Sequence, residues 1–182
     1  MSLTSIDDRP LREPETMKVG DLIDYILAHF HARHRAELPD LVALARKVER
    51  VHHDVPEAPL GLGDALEHIR DDLEWHMQKE EQVLFPAMRQ GVGGAIVHPI
   101  GVMRGEHENH ARAIAKIRTL TRNFAIPEGA CGSWQRLYAD VERLCANLCE
   151  HMRIENEILF PRFETARMSG CTCAHISSPH RA

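Results

Sequence analysis

Aromatic residues are few, nine in 182 or 5% of the chain, and runs of β-branched residues are scarce. Both shortages argue against an all-β sandwich, whose pleated faces are filled by those types. No apolar run approaches the eighteen or more residues that a membrane span requires, so no membrane association is expected. Excess positive charge is missing as well. Lys and Arg total 22 against 27 Asp and Glu, a net charge of −5, which leaves no electrostatic footprint for nucleic acid. The N-terminal MSLTSIDDRPLREPE is polar and acidic rather than basic and then apolar, so no secretory leader is expected. The five cysteines, Cys131, Cys145, Cys149, Cys171 and Cys173, are odd in number and form no framework of spaced pairs. Reduced thiols in a cytoplasmic protein fit them best.

What is present is an ordinary globular composition, 43% hydrophobic and 27% charged, in a length suited to one domain. Such a chain buries about 70% of its unfolded surface and needs no disulfide to hold a core. One count is out of line: thirteen histidines.

Four segments carry a helical period, at about 20–51, 64–90, 99–123 and 133–163. Asp21, Asp64 (in a D-x-x-E pattern with Glu67) and Ser133 are the expected N-caps, and Pro99 is a good first-turn residue. Pro39 should kink or split the first segment. The connectors HHDVPEAPLGLG, GVGGAIVH and NFAIPEGACG are short, so sequential helices become antiparallel neighbours. The expected fold is an all-α, up-down-up-down four-helix bundle over residues 19–165. Residues 1–18 read as a loose tail, and 166–182, with Cys-x-Cys at 171–173, as a second.

An internal repeat runs through the bundle. WHMQKEEQVLFPAM at 75–88 returns as EHMRIENEILFPRF at 150–163, and HARH at 31–34 as HENH at 107–110. Each half is a helical hairpin with the same polar features at the same heights.

A helix facing a bundle core repeats its inward positions in steps of three and four. The expected stripes are Leu27, His31, His34, Leu38, Leu41, Ala45 and Val48; Leu66, Ile69, Leu73, His76, Glu80, Val83 and Ala87; Ile100, Met103, His107, His110, Ile114 and Ile117; and Leu137, Val141, Leu144, Leu148, His151, Glu155 and Ile158. Every stripe is interrupted by ionisable residues. One inward histidine is commonly a hydrogen-bonded core residue, and one H-x3-E a solvated pair. Four broken stripes, broken twice in the same way, are another matter, because an unpaired buried carboxylate costs several kcal/mol even after relaxation. Side chains four apart share a helix face, so His76 with Glu80, and His151 with Glu155, point at one interior spot, and His31 and His107 add an imidazole each.

Six donors exceed what one zinc takes, and no cysteine belongs to the set. Histidine with carboxylate suits a pair of first-row ions, iron or manganese foremost. With both glutamates bridging, each ion would hold two imidazoles and two carboxylate oxygens and keep one or two positions for an oxo bridge, water or a small ligand. The bridging anions offset the repulsion between the ions.

These residues resemble the hemerythrin-like (HHE) domains. HMQKEEQVLFP, GEHENH, HMRIENEILFP and LPDLVALARKVERVH are similar, more closely, to the RIC group of iron–sulfur cluster repair di-iron proteins, over about 19–163. The resemblance implies two non-haem iron ions, oxo- and carboxylate-bridged, in a bacterial cytoplasmic protein that responds to nitric oxide and oxidative stress. Carried over position by position, the metal ligands are His31, His76, Glu80, His107, His151 and Glu155. His34 and His110 read as core groups that hydrogen-bond near the site, and Asp72 and Glu106 as groups close to it. Members of this group often carry an N-terminal domain with adjacent cysteines. Here about eighteen cysteine-free residues precede the first helix, so the chain reads as the di-iron domain alone.

Two functions from different classes follow. One is a stress protein that donates iron to damaged iron–sulfur proteins, or binds or reduces nitric oxide, acting as a monomer or homodimer. The other is a reversible oxygen-binding or sensing module of the hemerythrin type. Oxygen carriers use a fifth histidine, in H-x3-H on the third helix, where this chain has Ala111. A ferritin-like oxidase would use E-x2-H, the reverse of the order here.

Overall fold

A computed structural model describes residues 13–91 and 95–164. Cys171, Cys173, His175 and His180 lie outside those residues, as do most of the expected N-terminal tail and all of the C-terminal one. Among the described residues the chain is all-α, with no strand, and forms a four-helix bundle.

Helix α1 covers 19–51 as α-helical stretches Val19–Ile26 and Ala32–Val51 joined by a π turn, Leu27–His31. Helix α2 covers 62–89, with a π turn at Glu80–Leu84 between Leu62–Lys79 and Phe85–Arg89. Helix α3, Val97–Leu120, is uninterrupted. Helix α4 covers 132–159, α-helical over Gly132–Arg153 and wide over Ile154–Leu159, and a last helical turn, Pro161–Glu164, follows it. Pro39 does not split α1, because it lies on the exposed face. There the carbonyl that a proline leaves unbonded four residues back is free to be hydrated.

The expected caps are displaced by two or three residues, and none of the four helices has a side-chain cap. Asp64 and Glu67 do not close a capping box; both reach Arg46 of α1, at 2.6 and 3.0 Å. The chain enters α2 through Gly61, whose φ of 89° lies in the left-handed region that a residue without Cβ adopts at no steric cost. Residues 13–18, within the expected N-terminal tail, lie against the end of α4. Arg162 donates to the carbonyls of Met17, Glu15 and Pro14 at 2.6, 3.2 and 3.3 Å, with Pro14–Thr16 in a 3-10 turn.

Two apolar clusters fill the bundle. One, around Leu41, Leu66, Ile117, Trp134, Leu137 and Leu144, occupies the end that holds the α1–α2 and α3–α4 connectors. The other, around Ile23, Phe85, Ile100 and Phe160, occupies the opposite end. Between them lies a layer of buried His31, His34, His76, Glu80, His107, His110, His151 and Glu155, each at most 4% exposed.

Candidate metal centre

Six of these side chains converge on one spot. Two overlapping donor sets have all ligand atoms within 4.8 Å of one another: His31, Glu80, His151 and Glu155, and His76, Glu80, His107 and Glu155. Both sets share both glutamates. The Nε2 atoms of His31 and His76 each stand 3.4 Å from Glu80 Oε2. His107 Nε2 lies 3.2 Å from Glu155 Oε2, and His151 Nε2 3.1 Å from Glu155 Oε1. Glu155 thus faces one donor set with each oxygen. Both oxygens of both glutamates, and Nε2 of His31 and His151, are buried without a hydrogen-bond partner. Buried polar atoms are nearly always satisfied, and a cation between these groups would satisfy all of them. The residues present therefore fit a metal ion.

The three π turns fall on this layer. His31 ends the first, Glu80 begins the second and Glu155 lies in the third. In the last two the widening has a local cause. Pro86 and Pro161 cannot donate, and a proline ring collides with the carbonyl four residues back. The preceding amide, of Phe85 or Phe160, instead reaches five residues back to the carbonyl of Glu80 or Glu155, at 2.8 Å in the latter. Such single wide turns collect at functional sites. The first two also shift the inward stripe by one residue, whereas the expected Ile158 stays buried beside the third. Ile26 and Leu84 are buried in place of the expected Leu27 and Val83, and Val83 is 60% exposed.

Outside the centre, three of the four converging imidazoles are held through Nδ1 by the next helix round the bundle. His31 meets Glu81 of α2 at 2.7 Å, His76 meets Glu106 of α3 at 2.9 Å, and His107 meets Asn156 of α4 at 3.0 Å. The holders are themselves held. Arg35 donates to Glu81 at 2.7 Å and to Glu74 at 2.7 Å, Lys79 pairs with Glu106, and Arg104 reaches Asn156 at 3.3 Å. An acceptor at Nδ1 fixes the tautomer that leaves Nε2 unprotonated and free to bind a metal.

The electrostatics point the same way. Burial, then the neighbouring His151, pushes the His31 imidazolium down to about 4, and burial also lowers His76, so both rings are neutral donors near pH 7. Burial and the Glu155 charge raise Glu80 well above the usual carboxyl range. Burial acts on Glu155 as well, but the imidazoles of His151 and His107 outweigh it and hold that carboxylate low. Glu106 is held down to about 2, first by its hydrogen bond to His76. Without a cation, then, the layer tolerates one ionised glutamate but resists two.

His34 and His110, expected to hydrogen-bond near the site, make no hydrogen bond there. His34 is unpartnered at both nitrogens and His110 at Nδ1; they pack instead, His34 beside His151 at 5.5 Å and His110 edge-on to His76 at 5.0 Å. Asp72 stays at the surface, 3.3 Å from His68. Glu81 and Asn156 were not singled out by the stripe. Each directly follows a buried glutamate, and they occupy the same place in the two halves of the repeat, which is the signal that marks them.

The hemerythrin HHE cation-binding domain matches residues 22–163. The chain belongs to the hemerythrin HHE family. Within that family it is similar to proteins named for iron–sulfur cluster repair. It is 48% identical over 148 residues to the repair protein DnrN of Neisseria gonorrhoeae, covering 81% of this chain and 93% of that one. It is 44% identical over 144 residues to YtfE of Pectobacterium atrosepticum, covering 79% and 65%, and 42% identical over 162 residues to YtfE of Dickeya chrysanthemi, covering 88% and 73%. The chain thus spans just under two thirds of the Pectobacterium relative's length. Among the described residues no helix of this HHE protein is long and apolar enough to cross a membrane.

Proposed function

We propose that this HHE protein binds two iron ions through His31, His76, Glu80, His107, His151 and Glu155, and serves bacterial defence against nitrosative and oxidative stress by supporting repair of iron–sulfur proteins. The observation that carries the proposal is the pair of overlapping donor sets sharing both glutamates. One ion fits each set, and the two shared anions would offset the repulsion between the ions. The relatives named for iron–sulfur cluster repair support the cellular role.

Bound there, the irons supply exchangeable ferrous ion and redox chemistry toward a diatomic ligand such as nitric oxide or oxygen. The chain's own part is to hold four imidazoles with Nε2 inward, to keep both carboxylates buried, and to close the layer with apolar clusters on both sides. Cys131, Cys145 and Cys149 are free thiols, in keeping with a reducing cytoplasm.

Purified protein should carry about two irons per chain, and His76→Ala or Glu155→Ala should deplete them. Unaltered iron content in both variants sinks the assignment. Nitric oxide consumption by the reduced protein, or recovered activity of a damaged iron–sulfur enzyme on mixing, supports the repair role. A stable, reversible oxygen adduct with neither of those activities would favour the oxygen carrier instead.

A further inference from the structure

The outer hydrogen bonds follow a rotation with one gap. Helix α1 is served by α2, α2 by α3 and α3 by α4, so His151 of α4 should be served by α1. It is not. His151 Nδ1 is fully buried and has no protein acceptor. The repeat shows what is missing. His31 and His107 are equivalent, 76 residues apart, so the residue equivalent to Glu106 is residue 30, a phenylalanine. Phe30 lies flat against the His151 ring, 5.2 Å between centroids and 5° between planes. A stacked phenyl ring confines the imidazole but accepts no hydrogen bond from it.

The two donor sets therefore differ. In the His76/His107 set both imidazoles are anchored, by Glu106 and Asn156. In the His31/His151 set only His31 is anchored, by Glu81. Partners at the outer nitrogen of a ligating histidine are worth about 10- to 100-fold in metal affinity. We infer that the two metal positions are unequal, and that the ion between His31 and His151 is the one given up first, because Phe30 replaces the acceptor that His151 lacks. This rests on the two-iron reading and adds to it which ion is available for donation. Phe30 acts as a positioning residue through His151.

The test uses the native chain loaded anaerobically with ferrous iron and crystallised after a ferrous chelator has removed one equivalent. Anomalous scattering at the iron edge should show the His31/His151 position depleted to less than half the occupancy of the other. In solution, release should be biphasic. Phe30→Gln, which restores an acceptor of the length of Glu106, should slow the first phase about tenfold, whereas Phe30→Leu should not slow it. Equal depletion, or loss first from the His76/His107 position, overturns the inference, and so does equal slowing by Gln and Leu. The occupancies decide the matter even if Phe30→Gln does not fold. Uptake of a single ion by the native chain would instead refute the two-iron reading, so the two failures are told apart.

Discussion

Replacing Glu80 by Gln should have opposite effects on the two forms of the protein. In the metal-free form Glu80 is fully buried, near Glu155, and its pKa is raised by burial and by that charge. The folded protein can avoid the buried charge by keeping the carboxyl protonated. Because an unfolded glutamate ionises near pH ~4.3, that proton costs at most about 3.7 kcal/mol at pH 7. The ceiling falls to about 1 kcal/mol at pH 5 and vanishes near pH ~4.3. The sign follows from linkage: a folded pKa above the unfolded one means stability is lost as pH rises. Gln has the same shape and no charge to lose. Metal-free Glu80→Gln should therefore be more stable than metal-free wild type by up to about 3.7 kcal/mol at pH 7, or roughly 7–15 °C in melting temperature for a chain of this size. The advantage should shrink to a few degrees at pH 5. With iron the order reverses, since the native chain gains from binding and the variant has lost a shared ligand. Thermal unfolding followed by circular dichroism, with and without iron, at pH 5, 6 and 7, measures all of this. A metal-free variant no more stable than wild type at pH 7, or an advantage that does not shrink with acid, would falsify the claim that Glu80 is a buried charge awaiting a cation.

Acid should weaken the metal-free protein through His34 and His110, which burial holds down to about 3. Between pH ~6.5 and ~3 the unfolded chain takes up protons that these rings refuse, so stability falls with pH, by about 2 kcal/mol per ring at pH 5; His110→Leu should remove that share, measured by urea unfolding at pH 7 and 5. Val83→Lys should change stability by no more than about 0.5 kcal/mol and Leu84→Ala should cost about 2–5 kcal/mol, the reverse of what a regular helix through Glu80 would give; equal costs by urea unfolding would refute the wide turn. Gly61→Ala, forced into the left-handed region, should lose about 1–2 kcal/mol, visible as a lower melting temperature with iron content unchanged.

The bundle and the six converging donors were legible because both depend on regular helical spacing. H-x3-E places two side chains on one face wherever the helix starts, so displaced caps at Asp21, Asp64 and Ser133 changed nothing at the centre. The stripe failed where the helix is not regular. A π turn takes one more residue than the three-and-four rule allows, which moved Leu27 and Val83 out of the core and brought Ile26 and Leu84 in. The repeated Leu-Phe-Pro at 84–86 and 159–161 carried that information, since a proline six residues after each buried glutamate obliges the backbone to rearrange beside it. Glu81 and Asn156 escaped because an outward-leaning residue next to a buried glutamate looks like solvated surface until the neighbouring helix supplies its imidazole. His34 and His110 were placed correctly in the core, but burial alone did not say whether they would find partners.

All three wide turns lie at the histidine–glutamate layer or on the side of it toward Ile23, Phe85, Ile100 and Phe160. On the other side the described helices stay α-helical as far as their connectors, with the one ladder bond that Pro39 cannot make missing from α1. The molecule is in this sense two short bundles stacked end to end across a polar seam, one regular and one with wide turns. Ions at the seam would rivet the bundle with wide turns to the regular one. Departure of an ion would then be felt first at the end that carries the wide turns, residues 13–18 and the close of α4.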